Sequence, residues 1–241
     1  MCASRQGRLP KRVSETVVRP RLPLFGDSTG ASAPNLSRRL PLAGVAAWIL
    51  SAAAGTAVVW NHSLAPGADA VPPDRWPRES SVVRSPRLPT LLLFVHPRCP
   101  CTRATLGEFA VLMAQSGGRV STRVLCLLPD GAPADWADTD LLRTARAMPG
   151  VDVLLDRGGV EARRFGAATS GQALLYDAEG RLVFSGGITA SRGHSGDNAG
   201  RAAVLAFLRG EAPDRRHTLV FGCRLFGPSD VPQRRTCPCP P

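Results

Sequence analysis

The chain has 241 residues, of which 44% are hydrophobic, and a formal net charge of +11. This length suits one domain with appendages, because domains commonly run about 100 to 200 residues. More than half of the positive excess falls in residues 1–39, and no basic face with interleaved aromatic residues follows, which argues against nucleic-acid binding. Seven cysteines are too few for a disulfide scaffold at this length and point to redox or metal chemistry.

A basic leader, residues 1–39, precedes a charge-free apolar run over residues 40–60 that would span a bilayer core as one helix. Arg38 and Arg39 lie directly before this run, so the positive-inside rule predicts a cytoplasmic N-terminus and an exported remainder. A cleaved signal peptide, with small residues at 68–70, is the alternative. In both cases the rest of the chain lies where disulfides form and exchange.

Residues 61–88 are rich in proline, serine and charge and have no apolar period, which predicts a linker. The segment that follows, residues 89–210, has alternating strand and helix patterns and forms the predicted domain. Strands are predicted within 90–95, 119–130, 151–156, 172–177 and 181–187. Helices are predicted after residue 101 to Ser116, within 140–148 and 159–167, and from Asp197 or Asn198 to Gly210. This order predicts an α/β domain with a mixed sheet covered by helices on both faces.

Cys99 and Cys101 flank a single proline between the first strand and the first domain helix. Pro100 suits the first helical position, so Cys99 is the predicted N-cap residue and Cys101 lies in the first turn. Free N–H groups and the helix dipole favour thiolates there, and the cations of Arg98, Arg103 and protonated His96 add to this effect. We expect the more exposed Cys99 to attack, with Cys101 or a remote cysteine as the resolving thiol, although the opposite order and a purely structural disulfide stay open.

The element order, the Cys-Pro-Cys at 99–101 and the stretch VLLDRGGVEARRFGAATSGQALLYDAEGRLVF resemble a thioredoxin-like domain over about residues 88–210. Within that superfamily the chain resembles the membrane-anchored periplasmic thiol-disulfide proteins of the TlpA kind. More narrowly, the stretches HPRCPCTRAT, SGGITASRGHSGDNAGR and FGC resemble the RedB-like bacterial group. Two features differ from the family pattern: the cysteine pair lacks one intervening residue, and no proline stands near Gly171, where the family has a cis-proline.

The resemblance implies a thiol-disulfide oxidoreductase in the bacterial inner membrane, with its domain in the periplasm. Such a protein acts on a protein disulfide or dithiol and needs no cofactor. One alternative is a copper-binding or copper-delivery protein of the Sco kind, in which Cys99, Cys101 and His194 would hold the metal. A peroxidase and a catalytically inert interaction module are further alternatives. Apart from copper binding, His194 could act as a base or be a solvated loop residue.

The remaining cysteines have different expectations. Cys126 is predicted to be a buried small apolar residue. Cys223 lies in the C-terminal extension, residues 211–241, and is the best candidate for a second resolving thiol. The extension's apolar residues are expected to pack back onto the domain: Leu219, Val220, Phe221, Leu225 and Phe226. Cys2 in the leader is expected to be unpaired, and Cys237 and Cys239 form a second Cys-Pro-Cys in a tail expected to be disordered, without a strand before it or a helix after it.

Overall fold

A computed structural model describes residues 39–68 and 70–227 of the chain. Cys2, Cys237 and Cys239, and with them the predictions for residues 1–38 and the tail from residue 228, lie outside the described residues. The chain divides into two units, Met1–Trp48 and Ile49–Pro241. The described part of the first unit is the start of helix α1, and the second unit contains the rest of α1 and the other described elements.

Helix α1, Arg39–Leu64, contains the apolar run predicted at 40–60 and continues beyond it. The Ser63 hydroxyl donates to the Val59 carbonyl oxygen at 2.8 Å, so this polar side chain is satisfied within the helix. By length and composition, Leu42–Leu64 could cross a membrane. Its large apolar side chains are exposed: Leu42, Val45, Trp48, Ile49, Leu50, Val58, Val59, Trp60 and Leu64.

Five strands form one mixed sheet in the order β3-β2-β1-β4-β5. Strands β1, β2 and β3 are parallel, while β4 and β5 are antiparallel to their neighbours. The predicted mixed sheet is therefore confirmed. The bounds are β1 Thr90–Val95, β2 Ser121–Leu128, β3 Val151–Arg157, β4 Gln172–Tyr176 and β5 Leu182–Gly187.

The four domain helices lie where the sequence predicts them, and the structure adds a short 3₁₀ helix at Ala134–Ala137. Helix α2 ends at Gly117, whose left-handed φ of 59° suits glycine. Helix α5 is capped by Asn198, whose side chain accepts a hydrogen bond from the Arg201 N–H at 2.8 Å. The bounds are α2 Cys101–Ser116, α3 Asp140–Arg146, α4 Val160–Arg164 and α5 Ala199–Leu208.

Apolar side chains of the central strand β1 alternate between two hydrophobic clusters, one on each face of the sheet. The first cluster contains Leu91, Leu93 and Val95, and α2, α3 and α5 cover it; the second contains Leu92 and Phe94 together with residues of α4. The predicted burial of Cys126 is confirmed, because it is fully buried in the first cluster. Burial raises the pKa of the Cys126 thiol to about 12.

Residues 70–88, the larger part of the predicted linker, pack against the sheet. The Trp76 ring lies 4.9 Å from the Phe165 ring and 5.2 Å from the Tyr176 ring, measured between centroids. The Tyr176 hydroxyl donates to the Pro73 carbonyl oxygen at 3.0 Å, and Val82 is buried in the second cluster. These contacts correct the prediction of a simple linker. The segment is anchored by isolated apolar residues that show no periodicity in the sequence.

The C-terminal extension also packs onto the domain, as expected for most of its apolar residues. Phe221 and Leu225 are buried, and Phe226 packs against the second cluster. Leu219, in contrast, is 62% exposed, so its predicted burial is wrong. The extension runs antiparallel to the chain just before β4, where Thr169 and Arg224 form an isolated bridge.

Candidate active site

The Cys-Pro-Cys turn joins β1 to the start of α2. The Cys99 N–H donates to the His96 carbonyl oxygen at 3.1 Å, and the Cys99 carbonyl oxygen accepts from the Thr102 N–H at 3.0 Å. Pro100 already has helical dihedrals (φ −58°, ψ −34°) and caps the helix, which begins at Cys101. The cap is therefore one residue later than the sequence predicts, and Cys99 stands in the turn that precedes it.

Cys99 faces a cysteine from the far end of the chain. Its Sγ lies 2.7 Å from the Sγ of Cys223, only about 0.7 Å more than an S–S bond of ~2.05 Å. Cys99 is 1% exposed, which differs from the exposed N-cap thiol expected from sequence, while Cys101 and Cys223 are half-buried. The structure thus brings Cys99, Cys101 and Cys223 together at one end of α2.

Hydrogen-bond donors around Cys99 decide its ionisation. Burial raises the pKa of the Cys99 thiol, but the hydrogen bond from the Cys223 thiol opposes this, as do the backbone N–H groups of Cys223 and Cys101 and the Thr102 hydroxyl. Together these donors bring the pKa of Cys99 below that of an ordinary cysteine. The Cys101 N–H belongs to the free N-terminus of α2, so the helix terminus contributes as expected from sequence.

The two neighbouring thiols have the opposite tendency. Burial and then the charge of Cys99 raise the pKa of Cys101, although Arg192 opposes this. Burial and then the hydrogen bond to Cys99 raise the pKa of Cys223 to about 12. Cys99 is therefore the thiol of the three that ionises first.

The two arginines predicted to favour the thiolates turn toward other partners. Arg98 donates from Nη2 to the Trp136 carbonyl oxygen at 3.3 Å, and its guanidinium carbon lies 4.7 Å from the centroid of the Trp136 ring. Arg103 forms an exposed ion pair with Asp140. Neither guanidinium is among the largest influences on the pKa of Cys99.

Arg192, which no sequence pattern indicated, places a positive charge beside Cys101 and Cys223. It lies in the Gly-rich loop before α5, and its Nη1 donates to the Gly222 carbonyl oxygen at 2.6 Å. Its Nε donates to the Ala65 carbonyl oxygen at 3.0 Å, and its charge lowers the pKa values of Cys101 and Cys223. A polar loop has no periodicity that could have identified Arg192 in advance.

His96 does not supply the expected positive charge. Burial and then the charge of Arg98 lower the pKa of His96, so its ring is neutral at neutral pH. Its Nδ1 accepts from the Arg98 N–H at 3.1 Å, and its ring lies edge-on to Trp136 with centroids 5.5 Å apart. His194 is exposed, and among the described residues no hydrogen bond joins it to a cysteine.

Ser170 lies opposite the cysteine turn, next to the position where the family pattern has a cis-proline. None of the described peptide bonds is cis, and the Gly171 N–H donates to the Phe94 carbonyl oxygen at 2.7 Å. The Ser170 hydroxyl accepts from the His96 N–H and lies 2.9 Å from the Thr102 hydroxyl. Ser170 thus ties the start of β4 to the turn that holds Cys99.

The copper alternative requires Cys99, Cys101 and His194 to lie together. Within 39–68 and 70–227, no three His, Cys, Asp or Glu side chains are arranged to hold one metal ion. The predicted set of Cys99, Cys101 and His194 is therefore not assembled in the described structure. What the three thiols can do together is exchange disulfides, since a thiolate with two thiols beside it can form and break S–S bonds.

No protein-family model matches this chain, and no curated protein matches it. An uncharacterized conserved protein from Geobacillus kaustophilus is 21% identical, with a TM-score of 0.50 over 68% of this chain and 94% of that one. A hypothetical protein from Sinorhizobium meliloti 1021 is 25% identical, with a TM-score of 0.47 over 57% and 78%. A secreted Mycobacterium tuberculosis disulfide oxidoreductase, described as homologous to E. coli DsbE, is 19% identical, with a TM-score of 0.33 over 39% and 66%.

The topology itself has the arrangement expected from the family resemblance. Three parallel strands continue into an antiparallel pair, helices cover both faces, and the cysteine pair stands between β1 and α2. The Geobacillus protein shares this fold over two thirds of the chain. The domain therefore has the thioredoxin-like fold.

Proposed function

We propose that this chain is a thiol-disulfide oxidoreductase in which Cys99 attacks a disulfide of a protein partner and Cys223 resolves the mixed disulfide. The observation that carries the proposal is the 2.7 Å approach of the Cys99 and Cys223 sulfurs. The lowered pKa of Cys99 supports the same assignment, because the thiolate is the attacking form.

In the first step the Cys99 thiolate attacks one sulfur of the partner's disulfide, and the other partner sulfur leaves as a thiolate. In the second step Cys223 loses its proton and attacks Cys99, which forms the Cys99–Cys223 disulfide and releases the second partner thiolate. The partner's disulfide is thereby reduced by two electrons and the cysteine pair is oxidised. The reverse sequence oxidises a partner dithiol.

The setting we propose is the bacterial inner membrane, with the N-terminus in the cytoplasm and the domain in the periplasm. Helix α1 is long and apolar enough for an anchor, and Arg38 and Arg39, which directly precede the apolar run in the sequence, match the cytoplasmic side by the positive-inside rule. In this compartment the partner is a protein that carries a disulfide or a dithiol.

Serine substitutions test the assignment of the cysteines. We expect Cys223→Ser to accumulate a covalent partner adduct through Cys99, because the mixed disulfide can no longer be resolved, whereas Cys101→Ser turns over. Non-reducing electrophoresis and mass spectrometry of the chain purified without reductant measure both. Accumulation in Cys101→Ser alone would assign the resolving role to Cys101, and full exchange activity in Cys99→Ser would refute the attack by Cys99.

A further inference from the structure

The C-terminal segment, residues 220–226, runs antiparallel to residues 168–170, which lie just before β4. The Ser170 N–H donates to the Cys223 carbonyl oxygen at 2.8 Å, and the Leu225 N–H donates to the Ala168 carbonyl oxygen at 2.9 Å. These two bonds flank the antiparallel bridge between Thr169 and Arg224. The backbone of residues 168–170 therefore forms a docking edge that pairs with an extended chain.

The pairing leaves no room for a side chain at residue 222. A Cβ added to Gly222 would lie 1.9 Å from the Ser170 carbonyl oxygen, far closer than unbonded atoms approach. The φ of Gly222 is not in the left-handed region, so the backbone conformation does not require glycine here. The close approach of the Ser170 carbonyl oxygen does. The docking edge selects glycine immediately before the cysteine.

Apolar residues flank the cysteine at alternate positions. Phe221 and Leu225 are buried, and Cys223, which lies between them in the same alternation, faces Cys99. Arg224 is exposed and makes its pair through the backbone. The bound sequence is thus an apolar residue, glycine, cysteine, any residue and an apolar residue.

Cys99 is nearly inaccessible while the C-terminal segment is in place. Resting on the proposed function, we propose that the C-terminal segment is an internal stand-in for the substrate. The partner presents an extended strand with the pattern apolar-Gly-Cys-x-apolar, which displaces residues 220–226 from the docking edge.

The displacement fits the chemistry of exchange. With the partner strand docked, its cysteine sulfur takes the position of Cys223, and the Cys99 thiolate forms the mixed disulfide there while the partner's other sulfur leaves as a thiolate. When the C-terminal segment returns, Cys223 loses its proton and attacks Cys99, and the partner's cysteine departs as a thiolate. The return of the C-terminal segment to the docking edge therefore displaces the partner strand and resolves the mixed disulfide in the same step.

A peptide of the segment's own sequence, Val-Phe-Gly-Cys-Arg-Leu-Phe, tests the docking edge. Its cysteine carries a mixed disulfide with nitrothiobenzoate, so attack by Cys99 releases a coloured thiolate, the better leaving group. The full-length chain used has serine in place of Cys2, Cys101, Cys223, Cys237 and Cys239, which leaves Cys99 and the buried Cys126. A second peptide with alanine for glycine is expected to react at least about tenfold more slowly.

An alanine in place of glycine in the chain itself, rather than in the peptide, is expected to have the opposite effect on the reaction rate. Gly222→Ala, added to the serine-substituted chain, is expected to accelerate the glycine peptide's reaction several-fold, because the resident segment is weakened. Gly107→Ala is the matched control: a Cβ there lies 3.9 Å from the Ser195 Oγ, an ordinary contact, and the rate is expected to stay unchanged.

Two outcomes separate this inference from the proposed function. If the glycine and alanine peptides react equally fast and Gly222→Ala has no effect, the docking inference is overturned while Cys99 remains the attacking thiol. If Cys99 reacts with neither peptide, nor with the free aromatic disulfide of nitrothiobenzoate, the proposed function itself fails. A slower alanine peptide together with a faster Gly222→Ala chain supports the inference.

Discussion

At the scale of single residues, hydrogen-bond donors rather than cations account for the lower pKa of Cys99 compared with Cys101 and Cys223. The Cys223 thiol, two backbone N–H groups and the Thr102 hydroxyl lower the pKa of Cys99 and together outweigh the effect of its burial. The pKa values of Cys101 and Cys223 are raised by burial and by the presence of Cys99. Under the proposed function, the lowered pKa of Cys99 and the raised pKa values of Cys101 and Cys223 favour Cys99 as the attacking thiol.

The pH dependence of Cys99 alkylation follows from these donors. Reactivity rises with pH through the thiol pKa, so a lowered pKa places the inflection below that of an ordinary cysteine thiol. We expect Cys223→Ala to move the inflection to higher pH, because it removes the thiol donor. Cys101→Ala is the comparison: it removes a side-chain hydrogen bond to Cys99 but keeps the backbone N–H that reaches Cys99, so its shift should be smaller. An equal upward shift in both variants would contradict the role given to the Cys223 thiol.

At the scale of elements, a buried carboxylate joins α2 to the start of α5 and to the loop that carries Arg192. Glu108 Oε1 accepts from the Gly196 N–H at 2.7 Å, and Oε2 accepts from the Asn198 side chain at 3.1 Å. The Arg201 guanidinium, 14% exposed in its side chain, pairs with the same carboxylate. The loop is thereby held against the helix that begins at the cysteine turn.

Glu108→Gln is expected to destabilise the domain by about 3 kcal/mol, the lower end for breaking a buried ion pair, because Arg201 keeps its pair with Asp197. Arg143→Gln is the control. It breaks an ion pair with Asp138 whose side chains are 60% and 56% exposed, and should cost less than about 1 kcal/mol. Urea unfolding of the reduced chain in detergent measures both. Equal losses in the two variants would show that Glu108 is not a buried link.

At the scale of the whole molecule, the fold could be predicted from the sequence because its signals are local. The continuous apolar run of β1 and the apolar stripe of α2 each lie within one window of the chain, and Gly117 marks where α2 stops. Cys99 and Cys101 could be predicted as site residues for the same reason, since the strand-to-helix junction is visible beside them.

The rest of the site depends on contacts between distant parts of the chain. Cys223 reaches Cys99 across 124 residues, and only its apolar neighbours suggested that it packs onto the domain. Arg192 enters from a loop without periodicity, and Trp76 packs through a single side chain. Arg98 and Arg103 were expected to act on the thiolates because they are close to the cysteines in sequence. In the folded chain Arg98 instead contacts the Trp136 ring, and Arg103 pairs with Asp140.

That long separation predicts how oxidation changes the stability of the molecule. A Cys99–Cys223 disulfide would close a loop of 124 residues, for which the loss of unfolded-state entropy amounts to about 5 kcal/mol, whereas a Cys99–Cys101 disulfide closes a loop worth less than about 2 kcal/mol. We therefore expect oxidation to raise the free energy of unfolding by several kcal/mol, measured as the difference between urea unfolding curves with and without reductant.

Two variants tell which disulfide is responsible for that difference. Cys101→Ala should retain the full gain on oxidation, because the long loop still closes, and Cys223→Ala should lose most of it. If Cys223→Ala keeps the gain and Cys101→Ala loses it, the stabilising bond is the short one, and the 2.7 Å approach of Cys99 and Cys223 does not lead to a disulfide. Because both variants keep Cys99, the comparison depends only on the partner with which it bonds.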